Sequence, residues 1–336
     1  MQQLRQFLFL LLAICIAFTA CKPDPAPTTE EGVTGDALID DLSYQIEKDP
    51  NNAQLLFKRS KAFYEREAYD RAVIDMENAM EIDSLNPDFY HHLSDVFMDY
   101  YKSRRAYQTM LVARNLFPER VPTLLKLAET QYILKLYDQS INTINDIFYL
   151  KKENAEAFFM LGLNLRAQND LPRATQVLKQ AVDRDPELID AWLLLGEIAE
   201  LQEDPLAGTY YDNAVRIAPN NIFALHSKAY FMQINGDVDG AIELYRKIVS
   251  IDREYTNAYL NMGILYTEMD SLDLAYEQFN IITKTQTTNA KAYYFRGVVQ
   301  ELKGNIPAAR ADYKSAIAID PSMERAQQAL KEIKDQ

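Results

Sequence analysis

"AEAFFMLGLNLRAQNDLPRATQVLKQAVDRDPEL", residues 155–188, sets large apolar residues at Phe158 and Leu178 against small ones at Gly162 and Ala174. A second stretch at 256–289, "TNAYLNMGILYTEMDSLDLAYEQFNIITKTQTTN", repeats the plan with Tyr259, Gly263, Ala275 and Phe279. Both are 34 residues long, with bulk at places 4 and 24 and small residues at places 8 and 20. Inside each half the apolar residues recur at i, i+3, i+4 and i+7, the period of an amphipathic helix. Self-similarity at such a period marks a stack of like helical pairs.

The frame runs along the chain as eight units: 53–86, 87–120, 121–154, 155–188, 189–221, 222–255, 256–289 and 290–323. The fifth is one residue short, near Asp204-Pro205. Place 20 is Ala72, Ala106, Ser140, Ala174, Ala207, Ala241, Ala275 and Ala309, and place 24 is Met76, Met110, Ile144, Leu178, Tyr211, Tyr245, Phe279 and Tyr313. Small residues at places 8 and 20 let two helices of a unit approach closely, while places 4 and 24 fill the space beside the crossing. Pro172, Pro205 and Pro307 fall where the second helix of a unit begins, a position that tolerates the missing N–H.

These residues resemble the tetratricopeptide repeat, a helix–turn–helix unit of 34 residues. The resemblance implies an all-α, right-handed superhelical solenoid of eight repeats with a capping helix at each end. The N-terminal cap is expected at 36–50, where Ala37, Leu38, Leu42 and Ile46 share a face. The C-terminal cap is expected at 324–336, N-capped by Ser322, with Ala326, Ala329, Leu330 and Ile333 on one face. Such ends give a solenoid a polar outer surface.

Ahead of the repeats, Arg5 and the apolar run Phe7–Phe18 are laid out as a secretory signal over 1–20, too short to span a bilayer. Phe18-Thr19-Ala20-Cys21 resembles a bacterial lipoprotein lipobox, which implies cleavage before Cys21 and lipid attachment to its thiol. Cys15 would leave with the signal, so no disulfide, zinc cluster or cysteine nucleophile could be built from what remains. Several acyl chains anchor firmly where one does so only marginally. The Pro- and Thr-rich stretch completing 21–35 is a tether, with a reach of about 40 Å at roughly 3.1 Å per residue. Lys22 in place of Asp after the anchor favours, by the same resemblance, the outer membrane, on its periplasmic face or at the cell surface.

A net charge of −14 excludes nucleic acid as a partner, because phosphate binding needs a positive field. No catalytic or metal constellation is present and no cofactor is expected. The three histidines, His91, His92 and His226, lack the i+4 partner of a helical metal pair and are read as surface or groove residues. Function must then come from a binding face. In the repeat family, places 2, 5, 9, 12 and 13 line the groove. Here that resemblance assigns a partner-binding set of Phe57, Tyr64, His91, Asp95, Asp99, Glu129, Tyr132, Phe159, Glu197 and Glu200, aromatic with an acidic stretch. The Lys and Asn that a chaperone-tail clamp requires at places 5 and 9 are missing.

The expected function is a lipid-anchored scaffold that binds envelope proteins through basic or aromatic segments. It resembles outer-membrane repeat lipoproteins that recruit cell-wall enzymes or assemble secretion machinery. The alternative is a glycan-binding lipoprotein of a nutrient-uptake system using its 21 tyrosines. Against it, the units run end to end without the long insertions that such binders carry.

Overall fold

The computed structural model describes residues 34–334, so Cys21, the signal segment and most of the tether lie outside the described residues. Those described form eighteen helices and no strand. They divide into two compact units, one ending at Phe117 and the other beginning at Pro118.

The first unit holds α1 (Ala37–Lys48), α2 (Ala53–Tyr64), α3 (Tyr69–Ile82), α4 (Pro87–Asp99) and α5 (Ser103–Leu116). The second begins with α6 (Val121–Ile133), α7 (Tyr137–Leu150), α8 (Ala155–Ala167), α9 (Leu171–Arg184), α10 (Ile189–Leu201) and α11 (Ala207–Ile217). It continues with α12 (Ile222–Ile234), α13 (Val238–Ile251), α14 (Thr256–Glu268), α15 (Leu272–Thr285), α16 (Ala290–Leu302), α17 (Ile306–Ile319) and α18 (Glu324–Lys334). Each even-numbered helix from α2 to α16 pairs with the one that follows it, which makes eight helix–turn–helix repeats between the caps α1 and α18. The architecture is the expected all-α, tetratricopeptide-like solenoid.

Side-chain volume explains the pairing. Every residue at place 20 is at most 1% exposed and every residue at place 24 at most 4%. Where place 8 is Gly, the place-24 side chain of the same repeat takes the room of the missing Cβ. A Cβ at Gly162 would stand 2.6 Å from Leu178, at Gly263 2.5 Å from Phe279, and at Gly297 2.7 Å from Tyr313. Where place 8 is Ser, its hydroxyl ties the two helices instead: Ser60 donates to the Ala72 carbonyl at 2.8 Å. Side chains of Asn52, Asn86, Asn154, Asn221 and Asn289 accept backbone N–H groups at the starts of α2, α4, α8, α12 and α16, satisfying donors that lack a helical partner.

The turn inside every repeat has one residue with positive φ, at place 15. It is glycine at Gly236 and Gly304 but Glu67, Tyr101, Lys135, Asn169, Glu203 and Asp270 elsewhere. The following N–H reaches back five residues, as from Ala68 to the Phe63 carbonyl at 2.9 Å, closing the helix end.

First and last repeats share one further device. Arg59 grips Asp75 through Nε and Nη2, both at 2.8 Å, and reaches Ser43 on α1 at 2.9 Å. Arg296 grips Asp312 in the same way, at 2.9 and 2.6 Å, and reaches Asn280 and Thr283 on α15. Bidentate pairs of this kind fix geometry as well as charge.

Two expectations are corrected. Pro172 and Pro307 sit in the first turn of α9 and α17, but Pro205 lies before α11, whose 11 residues against 14 in its counterparts absorb the deletion. Ser322 does not cap α18: the helix begins at Glu324, two residues on, and the Ser322 hydroxyl turns back to donate to Asp320 at 2.6 Å. Trp192, at place 4 of the fifth repeat, packs partly buried against the core, and its indole N–H donates to the Pro186 carbonyl at 2.8 Å, which anchors the preceding loop.

Candidate functional site

The ten residues assigned to partner binding fall five in each unit. In the first unit Phe57 and Tyr64, on α2, both set their rings edge-on to His92 of α4, with centroids 5.5 and 5.6 Å away. His92 is therefore not a surface or groove histidine. It is 7% exposed, lies 3.1 Å from the Ser60 hydroxyl, and burial with nearby Lys61 pulls it down to about 4. The Tyr64 hydroxyl donates to Asp99, whose carboxylate pushes the phenol up to about 12. Asp99 is thereby committed to holding Tyr64. His91 and Asp95 are half-buried on the same helix, and the Lys61 ammonium stands 4.2 Å from the Phe57 ring centre.

In the second unit the structure brings Phe159 and Glu197 together. They line a cleft of about 360 Å³ between α8, α10 and α12, with Leu163, Asp190, Leu193, Leu194, Tyr211 and Ser227. The walls are apolar at Phe159, Leu163 and Leu193, while Asp190 and Glu197 supply charge. Glu197 pairs with Arg166 of α8. Exposed Phe223 and Tyr230, at 72% and 46%, stand on α12 one turn either side of Ser227 and extend the apolar face.

The other assigned residues are not in this cleft. Glu129 pairs with Lys126 at 2.9 Å, and Tyr132 packs on Tyr137 with ring centres 5.9 Å apart. Glu200 accepts the hydroxyl of buried Tyr211 at 3.0 Å and serves the fold. The residues that sequence reasoning missed are Asp190 and Phe223 at place 2 and Leu163 and Tyr230 at place 9. The repeat frame itself would have pointed to them. His226 is partly buried at 3.3 Å from Asn261, and burial lowers it.

Among the described residues, no cluster of His, Cys, Asp or Glu could hold a metal ion. No helix there is long and apolar enough to cross a membrane.

The tetratricopeptide repeat family model matches residues 159–222 and 260–324, so these segments are tetratricopeptide repeats. DnaJ homolog subfamily C member 7 of Homo sapiens is 26% identical over 57% of this chain and 42% of its own length. The chain spans less than half the length of the curated relatives it matches first. A solved tetratricopeptide repeat protein from Parabacteroides merdae superposes with a TM-score of 0.50 at 15% identity, over 74% of this chain and 98% of that one. A chain in the APC/C hetero-tetramer Cut9-Hcn1 superposes with a TM-score of 0.55 at 16% identity, over 88% of this chain and 58% of that one. Those two likenesses show the fold alone. The fold is thus of the tetratricopeptide type, and the two matched segments are similar to that repeat.

Proposed function

We propose that this protein is a lipid-anchored adaptor of the bacterial cell envelope, which holds a partner protein in the cleft between α8, α10 and α12. The cleft carries the reading. It joins apolar walls, exposed aromatic side chains and carboxylates on one face, the combination of anchors and polar rim found at protein-binding hot spots. The anchor rests on Cys21 following Thr19 and Ala20 after an apolar run, with the Pro-rich segment as spacer. An outer-membrane position follows from Lys22 at the residue after the anchor.

Affinity capture from crosslinked envelopes tests both halves. Phe159→Ala with Phe223→Ala should lose the captured partner while helical content stays unchanged. Cys21→Ser should release the chain from the membrane fraction or leave it as an uncleaved precursor. A double variant that captures its partner normally would refute the cleft. A Cys21→Ser chain still partitioning with lipid would refute the anchor.

A further inference from the structure

We propose that the same cleft selects an amphipathic helix bearing basic side chains at i and i+7 with apolar ones at i+3 and i+4. The proposal rests on the cleft being the partner site and adds the chemistry of what it takes. On α10, Asp190 is followed by Leu193 and Leu194 at i+3 and i+4, then by Glu197 at i+7, and all four line the cleft. Two helical turns place them on one face, with the carboxylates about 10 Å apart at 1.5 Å per residue. An α-helix laid along this face repeats the same spacing, so a basic–apolar–basic stripe meets an acidic–apolar–acidic one. Helix-in-groove docking uses this set of anchors.

The charges in the cleft favour that partner over one of opposite sign. Asp190 is exposed and carries no ion pair among the described residues. Glu197 pairs with Arg166, with 44% of its side chain still open to solvent. Lys228, the cation nearest Ser227 in sequence, is held by Asp212 at 2.7 Å. Phe159 and Leu163 of α8 supply a wall for the apolar residues, and exposed Phe223 stands one helical turn before Ser227 on α12.

The test uses the full chain in detergent and fluorescein-labelled peptides of about 18 residues, long enough to populate a helix. One peptide carries arginine at i and i+7 and leucine at i+3 and i+4 in an alanine–glutamine background. A second replaces both arginines by glutamate. The arginine peptide should bind at least tenfold more tightly, and added salt should weaken it. Asp190→Asn, which disturbs no ion pair, should weaken that binding several-fold, and Asp190→Asn with Glu197→Gln about tenfold. Circular dichroism checks that both variants remain folded. Equal binding of the two peptides, binding of neither, or an arginine affinity that ignores both substitutions would overturn the proposal. If both bind equally and both are lost in Phe159→Ala with Phe223→Ala, charge selection is wrong and the partner cleft stands. If the capture assay ignores that double variant, the cleft itself falls.

Discussion

Gly196→Leu should destabilise the fifth repeat by about 3 kcal/mol. A Cβ at Gly196 would lie 2.6 Å from Cε1 of Tyr211 and 2.8 Å from its Cδ1 and Cζ. The ring cannot simply turn aside. It is 4% exposed, its hydroxyl is bonded to Glu200 at 3.0 Å, and its centre stands 5.5 Å from that of Phe231. Alanine is the mild case, since repeat six accommodates Ala229 opposite Tyr245. Leucine adds three more carbons and drives the ring out. Expulsion forfeits about 2 kcal/mol of apolar burial and about 1.5 kcal/mol of charge-assisted hydrogen bond. Replacing a helical glycine returns about 0.8 kcal/mol. Hydrogen exchange followed helix by helix is the suitable assay, because a repeat array need not unfold as one. Protection should fall first in α10 and α11, then in their neighbours α9 and α12. A change under about 0.5 kcal/mol, or an equal loss in every helix, would refute the packing argument.

Burial holds His92 near 4 against 6.5 for a free imidazole, so the unfolded chain takes up the proton first as pH falls. Its stabilisation is complete above pH 6.5 and lost as pH falls toward 4, by up to about 3 kcal/mol; an NMR titration placing this imidazole near 6.5 would refute it. Tyr101, 96% exposed with φ of 57°, has no packing to lose, so Tyr101→Gly should stabilise by about 1 kcal/mol, read as a higher urea midpoint at unchanged slope. A lower midpoint would show that its ring is held by something. Glu200→Ala should cost about 1–3 kcal/mol by leaving the Tyr211 hydroxyl without an acceptor, whereas Asp190→Asn should stay within about 0.5 kcal/mol. Equal thermal shifts for these two would contradict the division of labour between them.

The steric grid of the fold was legible because places 8, 20 and 24 are restricted by neighbours on every side, and eight units repeat the restriction in phase. The turns were less so. Only Gly236 and Gly304 announce the left-handed place 15, while Glu67 and Lys135 adopt it because the back-reaching hydrogen bond closes the helix whatever the side chain. Phe159 and Glu197 were found from the frame. Asp190 and Phe223 stand at place 2 of the same frame and were passed over, since an exposed place imposes no residue type that would single them out. His92 was misread because adjacent His91 and His92 look alike in sequence, and only the helix crossing turns the second onto Ser60, Phe57 and Tyr64.

The acidic character of the first-helix faces therefore has two origins. In repeats five, six and eight a place-24 tyrosine needs an acceptor once buried, and place 12 provides it: Tyr211 to Glu200 at 3.0 Å, Tyr245 to Gln233 at 3.0 Å, and Tyr313 to Glu301 at 2.7 Å. Burial raises all three phenols far above their ordinary range, so they stay neutral donors at any working pH. These tyrosines are spent on the fold and add nothing to a glycan-binding face. Gln233 satisfies the same hydroxyl as the glutamates do, so an acceptor oxygen is what place 12 must supply and its negative charge is incidental. Asp190 plays no comparable part in the fold, since it caps no tyrosine and joins no ion pair among the described residues. Its only part in the fold is the mild one of an acid in the first turn of α10, which leaves an exposed carboxylate beside apolar walls open to recognition.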